Sequence, residues 1–127
     1  MADDAGKLIL RLTLGILMLL HGIAKISGGV DGLEKMVAGA GFPTVLAYGV
    51  YVGEVLAPLL VIFGFFARFG AAIIVVNMLF AIFLAHRADL FLLTRSGGWA
   101  LELQGFFLFT ALALVFMRPG RFAINRG

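Results

Sequence analysis

The sequence predicts an all-α integral membrane protein, a bundle of four transmembrane helices with a short interfacial helix between the first two spans. Of its 127 residues, 62% are hydrophobic and only 13% are charged, whereas a soluble domain carries charge on about a quarter of its residues. Four apolar runs each approach the roughly 20 residues that cross about 30 Å of hydrocarbon as a helix. They cover residues 8–26, 44–66, 69–86 and 100–117. The whole chain, residues 1–127, is therefore expected to form a single membrane domain.

The connections between these runs differ in character. In residues 27–43, apolar side chains recur at helical spacing among charged ones, which predicts a short helix lying in the membrane interface. A glycine-rich stretch and Pro43 then lead into the second span. The second and third spans meet in a tight hairpin at residues 67–68, and a polar loop, residues 87–99, precedes the fourth.

The placement of basic residues predicts the orientation. Four spans put both termini on one side, and the Lys and Arg residues of the connections favour the cytoplasm for that side. The expected location is a bacterial or archaeal plasma membrane, with residues 8–26 as a retained span and not a signal peptide. The formal charge of +3 is assigned to topology and anionic head groups. Nucleic-acid binding is not expected, because no basic stripe is interleaved with exposed aromatics.

The chain contains no cysteine. This composition excludes disulfides, thiolate redox chemistry and cysteine-ligated zinc or iron–sulfur sites. Any redox role must therefore use a bound cofactor or a lipid-soluble carrier.

Charged and titratable residues inside the apolar runs are the main functional signal. A charge in a bilayer costs a few kcal/mol on insertion scales, so it is rare and usually faces a protein interior or a wet cavity. Five such residues occur in or at the ends of the spans: Arg11, His21, Lys25, Glu54 and Glu102. Two are acidic, two are basic and one titrates near neutral pH, a combination that predicts a functional site.

The spacing of these residues places several on common helix faces. Arg11, His21 and Lys25 follow one stripe of the first span, and Tyr51 and Glu54 follow one stripe of the second. Pro58 lacks an N–H group, so it also frees the carbonyl of Glu54 from its helical partner. Small residues at positions 49, 53 and 57 form a track on the same helix where another helix can approach, including one from a second copy of the chain.

Glu54 and His21 are the predicted catalytic residues. Burial disfavours the charged form of a carboxylate, so Glu54 can exchange protons or contact a quinone; the alternative is a structural ion pair with Lys25 or Arg11. His21 can bond a quinone, relay protons or ligate a metal, or it can make an interhelical hydrogen bond.

The other candidates are predicted to bind a ligand around this pair. They are Arg11, Lys25, Tyr51, Asn77, His86 and Glu102. Asn77 is more typical of an interhelical hydrogen bond than of a ligand contact. A haem held by His21 and His86 has a thin basis, because the chain has only two histidines. A metal held by these histidines with Glu54 and Glu102 lacks the HxxxH or ExxH spacing of such sites, so no metal is predicted.

At these residues the chain resembles the DoxX family of small four-helix membrane proteins, over nearly its whole length. The matching positions are Arg11, Gly15, His21-Gly22, Lys25, Glu54 within Gly-Glu-Val, Gly64, Arg68, Met78, Ala81, His86 and Glu102. Residues 118–121, Arg-Pro-Gly-Arg, resemble the family's Gly-Pro-Gly-Arg ending, with arginine in place of the first glycine.

The resemblance implies a role in redox chemistry at the membrane. Family members resemble subunits of thiosulfate:quinone oxidoreductase or terminal quinol oxidase complexes, and others accompany defence against oxidative or thiol stress. We therefore expect an intramembrane pocket for a quinone or similar lipophilic molecule, formed by Glu54, His21 and Lys25, working with a partner oxidoreductase. Two alternatives stay open: a non-enzymatic scaffold that anchors a soluble oxidoreductase, and a solute or lipid carrier that acts as a homo-oligomer because it has too few spans alone.

Overall fold

The computed structural model describes residues 2–29, 31–85 and 91–125, and these form five helices. They are α1 (Ala2–Gly28), α2 (Asp31–Gly39), α3 (Thr44–Phe63), α4 (Ala67–Ala85) and α5 (Glu102–Phe116). Over the described ranges there is no strand, and the only extended pairing is an isolated bridge between Leu93 and Trp99 in the loop before α5. The predicted all-helical architecture is confirmed.

Within the described part of the chain, three helices are long and apolar enough to cross a membrane: α1, α3 and α4. Helix α5 is apolar but has only 15 residues, which gives a length of about 22 Å. That is shorter than a typical hydrocarbon core of about 30 Å. A helix is found where the interfacial one was predicted, as α2, while its position in the interface and the crossing by α5 stay predictions.

Helix α3 is irregular along its length. It starts as a 3₁₀ segment (Thr44–Tyr48), passes through one α-helical turn into a π-helical turn (Val52–Leu56), and continues as an α-helix (Ala57–Phe63). Because Pro58 has no N–H, the usual bond to the Glu54 carbonyl cannot form, and the backbone widens at this level. The π-helical turn therefore carries Glu54 at a position set by Pro58.

Helix α3 ends three residues before the predicted boundary. Gly64 adopts a left-handed conformation with φ of 68°. The Phe65 N–H donates to the Leu60 carbonyl and the Gly64 N–H to the Val61 carbonyl, the two bonds of a Schellman cap. This cap leads directly into the hairpin before α4.

The core of the bundle joins α1, α3, α4 and α5. Its buried members are Leu14, Met18, Ala57, Val61, Ala71, Ile74, Met78, Phe107, Ala111 and Leu114. The small residues of α3 belong to this intramolecular packing: Gly53 faces the Asn77 side chain, and the Ala57 carbonyl faces Gly70. The predicted small-residue track thus joins α3 to α4, and Gly53 and Ala57 are not a free face for a second copy.

Helix α2 packs on the start of α3 through a second apolar cluster. Val37 of α2 is buried against Ala47 and Val50. The Tyr48 hydroxyl donates to Glu34 at 3.2 Å, which adds a polar contact between the two segments. These contacts hold α2 against the N-terminal part of α3.

Arg11 binds the C-terminal segment, residues 118–125, to the bundle. Its side chain is fully buried, and Nη1 donates to the carbonyls of Val61 (3.2 Å) and Ile62 (3.4 Å). Its Nη2 donates to the Phe122 carbonyl at 2.6 Å. The N–H groups of Ile124 and Asn125 continue this attachment by donating to the carbonyls of residues 63 and 64.

Replacing Arg11 with Met should release the C-terminal segment. The substitution keeps a long apolar stem but removes the Arg11 bonds to three carbonyls, of which the Val61 carbonyl keeps its bond from the Gly64 N–H. The cost is on the order of 1–3 kcal/mol for each carbonyl that stays buried and unpaired. We expect a lower melting temperature in lipid nanodiscs and faster proteolysis between residues 118 and 125.

Arg68→Met is the matched control, since Arg68 is exposed and makes one bond, from Nε to the Val115 carbonyl. A C-terminal segment equally resistant to protease in both variants would contradict the role assigned to Arg11.

Candidate functional site

Glu54 lies where α1 and α3 approach most closely. A Cβ atom built on Gly22 would overlap the backbone carbonyl of Glu54 and would lie 2.8 Å from the side chain of Val55. Glycine at position 22 therefore allows α1 to contact the π-helical turn directly. This close approach brings the stripe of α1 that carries Lys25 alongside Glu54.

Both carboxylate oxygens of Glu54 have partners. Oε1 forms an ion pair with Lys25 Nζ at 2.6 Å, and Oε2 accepts from Asn77 Nδ2 at 3.0 Å. The Glu54 side chain is 7% exposed and that of Lys25 is 34% exposed. A buried carboxylate needs this kind of pairing because desolvation would otherwise make it costly. We call these three residues the Lys25–Glu54–Asn77 triad.

The triad forms the polar end of a large cavity. This cavity has a volume of about 590 Å³ and lies between α2, α3, α4 and the end of α1. The other lining residues are glycine or apolar, among them Leu33, Met36, Val37, Val50, Phe80 and Leu84. A volume of a few hundred Å³, apolar walls and a few convergent polar groups are typical of small-molecule sites.

The large cavity is bordered by several exposed residues. The exposed apolar side chains of its lining are Met36 (43%), Leu46 (46%) and Val76 (64%), and Gly29, Gly32 and Gly49 of the lining are exposed as well. The three apolar side chains come from α2, α3 and α4. A ligand can therefore reach the triad across apolar side chains.

Tyr51 forms a hydrogen bond with the backbone next to the triad. Its hydroxyl donates to the Lys25 carbonyl at 3.3 Å, so it holds the C-terminal turn of α1 on α3. The Tyr51 side chain packs with the apolar cluster of α2 and does not line the large cavity.

His21 lies on the other side of the triad, in a second cavity of about 120 Å³. Its Nδ1 is 3.0 Å from the Leu17 carbonyl, and its ring meets the Phe107 ring edge to face, with centroids 5.4 Å apart. This small cavity is also lined by Lys25 and Glu54 and by Gln104 of α5. The three residues predicted to share one pocket, His21, Lys25 and Glu54, all line this small cavity, and Lys25 and Glu54 also line the large one.

The remaining predicted site residues lie elsewhere. Arg11 is 14 residues before Lys25 on α1, about 21 Å along the axis, and binds the backbone carbonyls described above. Glu102 is exposed, and its carboxylate lies beside Gly98 in the loop before α5. His86 is outside the described residues. Arg11 and Glu102 line neither cavity.

Two groups of lining residues were not singled out from the sequence. Leu33 and Met36 of α2 were treated only as the apolar face of an interfacial helix, and they form a wall of the large cavity. Gln104 lines the small cavity, and its signal was available: an amide within an apolar run, the same feature that singled out Asn77. Among the described residues, no group of three His, Asp or Glu side chains is arranged to hold a metal ion.

Comparison with known proteins decides the family. The model of the DoxX family matches residues 6–87, which is 82 of the 127 residues. The chain belongs to the DoxX family. Its long apolar helices and this membership make it an integral membrane protein.

A curated relative carries a redox name. The chain is 32% identical over 79 residues to the Bacillus subtilis (strain 168) protein named "Putative oxidoreductase CatD". The match covers 62% of this chain and 54% of CatD, so it spans about half the length of that relative. No solved structure matches the chain. All residues that line the large cavity fall within the DoxX match, whereas the α5 residues of the small cavity fall beyond it.

Replacing Gly22 with Ala should separate α1 from the π-helical turn. The added methyl group meets backbone atoms of Glu54, which cannot rotate away, so a helix must shift; overpacking of this kind costs about 1–3 kcal/mol. We expect a lower melting temperature in nanodiscs.

Gly6→Ala on the same helix is the control. A Cβ atom at Gly6 meets nothing within 4 Å, so the change should be neutral or stabilising by up to about 1 kcal/mol. Equal melting temperatures for the two variants would show that the contact at Gly22 does not limit the packing.

Proposed function

We propose that this DoxX-family protein is a membrane subunit of a redox system and that it binds a quinone, or a similar lipophilic carrier, in the large cavity. The observation that carries the proposal is an apolar cavity of about 590 Å³ that ends at a charged, hydrogen-bonded triad. A quinone has the matching chemistry, since it joins a flat polar head to an apolar chain. The redox name of CatD agrees with this assignment.

Each member of the triad has a role toward the quinone head group. The Lys25 ammonium has three N–H donors and gives one to Glu54, so another can bond a quinone oxygen. Glu54 supplies a proton to that oxygen on reduction and accepts it on oxidation. Asn77 fixes the carboxylate from the far side. His21 contributes from the second cavity and does not touch the ligand.

The electrons come from a partner. Reduction of a quinone to a quinol takes two electrons and two protons. We propose that an oxidoreductase bound to this protein supplies the electrons, that Glu54 supplies the proton to one quinone oxygen, and that water supplies the proton to the other. The subunit then contributes the ligand site and the proton-exchanging carboxylate to respiration or to defence against oxidative stress.

The membrane arrangement completes the proposal. Helices α1, α3, α4 and α5 cross the bilayer, α2 lies at the interface beside the cavity, and both termini face the cytoplasm at the plasma membrane. The short α5 can span if the bilayer thins locally. The opening beside Met36, Leu46 and Val76 then faces lipid, which suits a ligand that diffuses within the membrane.

Glu54→Gln should weaken binding of a short-chain ubiquinone analogue by about tenfold or more, equivalent to at least about 1.4 kcal/mol. The substitution keeps the shape and the bond to Asn77 but removes the negative charge that holds Lys25. Native mass spectrometry of nanodiscs titrated with the analogue measures the bound fraction.

Glu102→Gln is the control, because Glu102 is exposed and lines neither cavity. Undiminished binding by the Glu54 variant would overturn the triad's role. A wild-type chain that carries only phospholipid, with Glu54→Gln reducing its abundance in the membrane, would favour the scaffold.

Val76→Trp tests the opening. The larger side chain at the exposed rim should obstruct the large cavity without disturbing the core, and we expect loss of most analogue binding in the same titration. Leu79→Trp is the matched control, since Leu79 is also exposed (53%) on α4 but does not line the cavity. Equal binding by both variants would show that the ligand does not pass this rim.

A further inference from the structure

Lys25, Glu54 and Ala81 line both cavities. The Lys25–Glu54 pair is therefore the polar part of the wall that the two cavities share. A carboxylate in this position can contact a ligand from one side and exchange a proton on the other.

The position of His21 suits proton exchange with Glu54. A carbonyl oxygen only accepts hydrogen bonds, so the contact to Leu17 requires the proton on Nδ1. In the neutral ring Nε2 is then the basic atom, the one that gains and loses a proton. The Phe107 ring fixes the orientation of the imidazole from α5, and the His21 side chain is exposed at the outer edge of the bundle.

The small cavity has room and polar partners for water. A water needs about 10–15 Å³ of this kind of volume and two or more polar partners. The volume of about 120 Å³ therefore has room for several waters, and His21, Lys25, Glu54 and Gln104 line it. The rest of the lining is apolar, so these four groups set the path of any water chain.

We propose that His21 and the small cavity form a proton relay to Glu54, from the side opposite the ligand. This inference rests on the proposed function for the ligand in the large cavity. An apolar ligand that fills that cavity excludes water from it, so the proton reaches Glu54 through the other face.

Each step of the relay transfers one proton. Nε2–H of the imidazolium gives its proton to a bridging water, which passes one to the Glu54 carboxylate, and the imidazole regains a proton from outside. The groups that face Glu54 are Lys25 and His21 from α1, Asn77 from α4 and Gln104 from α5. Of these, His21 has the ring nitrogens that can both accept and donate a proton.

The test is the rate at which Glu54 is protonated after a pH jump. Full-length protein in nanodiscs is taken from about pH 8 to about pH 5, the range across which an imidazole titrates, and the carboxylic acid band is followed by time-resolved infrared spectroscopy. If this band is absent from the Glu54→Gln variant, it is assigned to Glu54. We expect His21→Gln, which hydrogen-bonds but does not titrate, to slow protonation about tenfold or more with the final extent unchanged.

Two further variants separate a relay from a structural role. His21→Ala should be slow, and added imidazole should restore its rate by occupying the space of the missing ring. Gln104→Leu removes a polar partner for water and should slow the rate by a smaller factor. A purely structural effect would not be rescued by imidazole.

The outcomes distinguish this proposal from the proposed function. An unchanged rate in His21→Gln, or no carboxylic acid band in the wild type, overturns the relay. If the ubiquinone analogue does not bind the wild type but His21→Gln still slows protonation, the quinone assignment fails and the relay stands. Wild-type affinity of His21→Gln for the analogue is expected, since His21 does not line the large cavity.

Discussion

The burial of one carboxylate is the constraint on which the rest of the structure depends. Glu54 is nearly inaccessible, so both of its oxygens must be satisfied from neighbouring helices. Lys25 and Asn77 do this from α1 and α4, and three helices thereby meet at one side chain. Removal of either partner would leave a buried charge incompletely paired, which is far more costly than loss of a surface contact.

Close helix approach at this level depends on the absence of side chains. Gly22 lies against the Glu54 carbonyl, and Gly53 lies against the Asn77 side chain. The π-helical turn and Pro58, which cannot donate to the Glu54 carbonyl, lie at the same place on α3. Glycine, proline and the charged residues are therefore parts of one local arrangement, in which backbone shape brings the polar side chains together.

The sequence was sufficient for the features that follow from composition and helical period. The helical architecture, the approximate bounds of the apolar helices and a Glu54–Lys25 pairing all follow from apolar runs and from spacing along α1 and α3. It was not sufficient for contacts that depend on how helices rotate about their axes. Arg11 shares a stripe with Lys25, yet it lies about 21 Å from Lys25 along α1 and binds backbone carbonyls. His21 lines the small cavity with Lys25 and Glu54 but does not line the large one. The Schellman cap that ends α3 has a local sequence signal, the glycine at position 64. The apolar residues that follow this glycine nevertheless led to a predicted span that was too long.

The proposed position of the large cavity in the membrane changes what concentration means for its ligand. In that arrangement the exposed side chains of Met36, Leu46 and Val76 face lipid, and the site exchanges its occupant with the surrounding hydrocarbon and not with water. Its occupancy then follows the mole fraction of the molecule among the lipids, so partitioning into the bilayer precedes recognition and is independent of it. Two molecules with the same head group and different tails would thus fill the site unequally because their membrane solubilities differ.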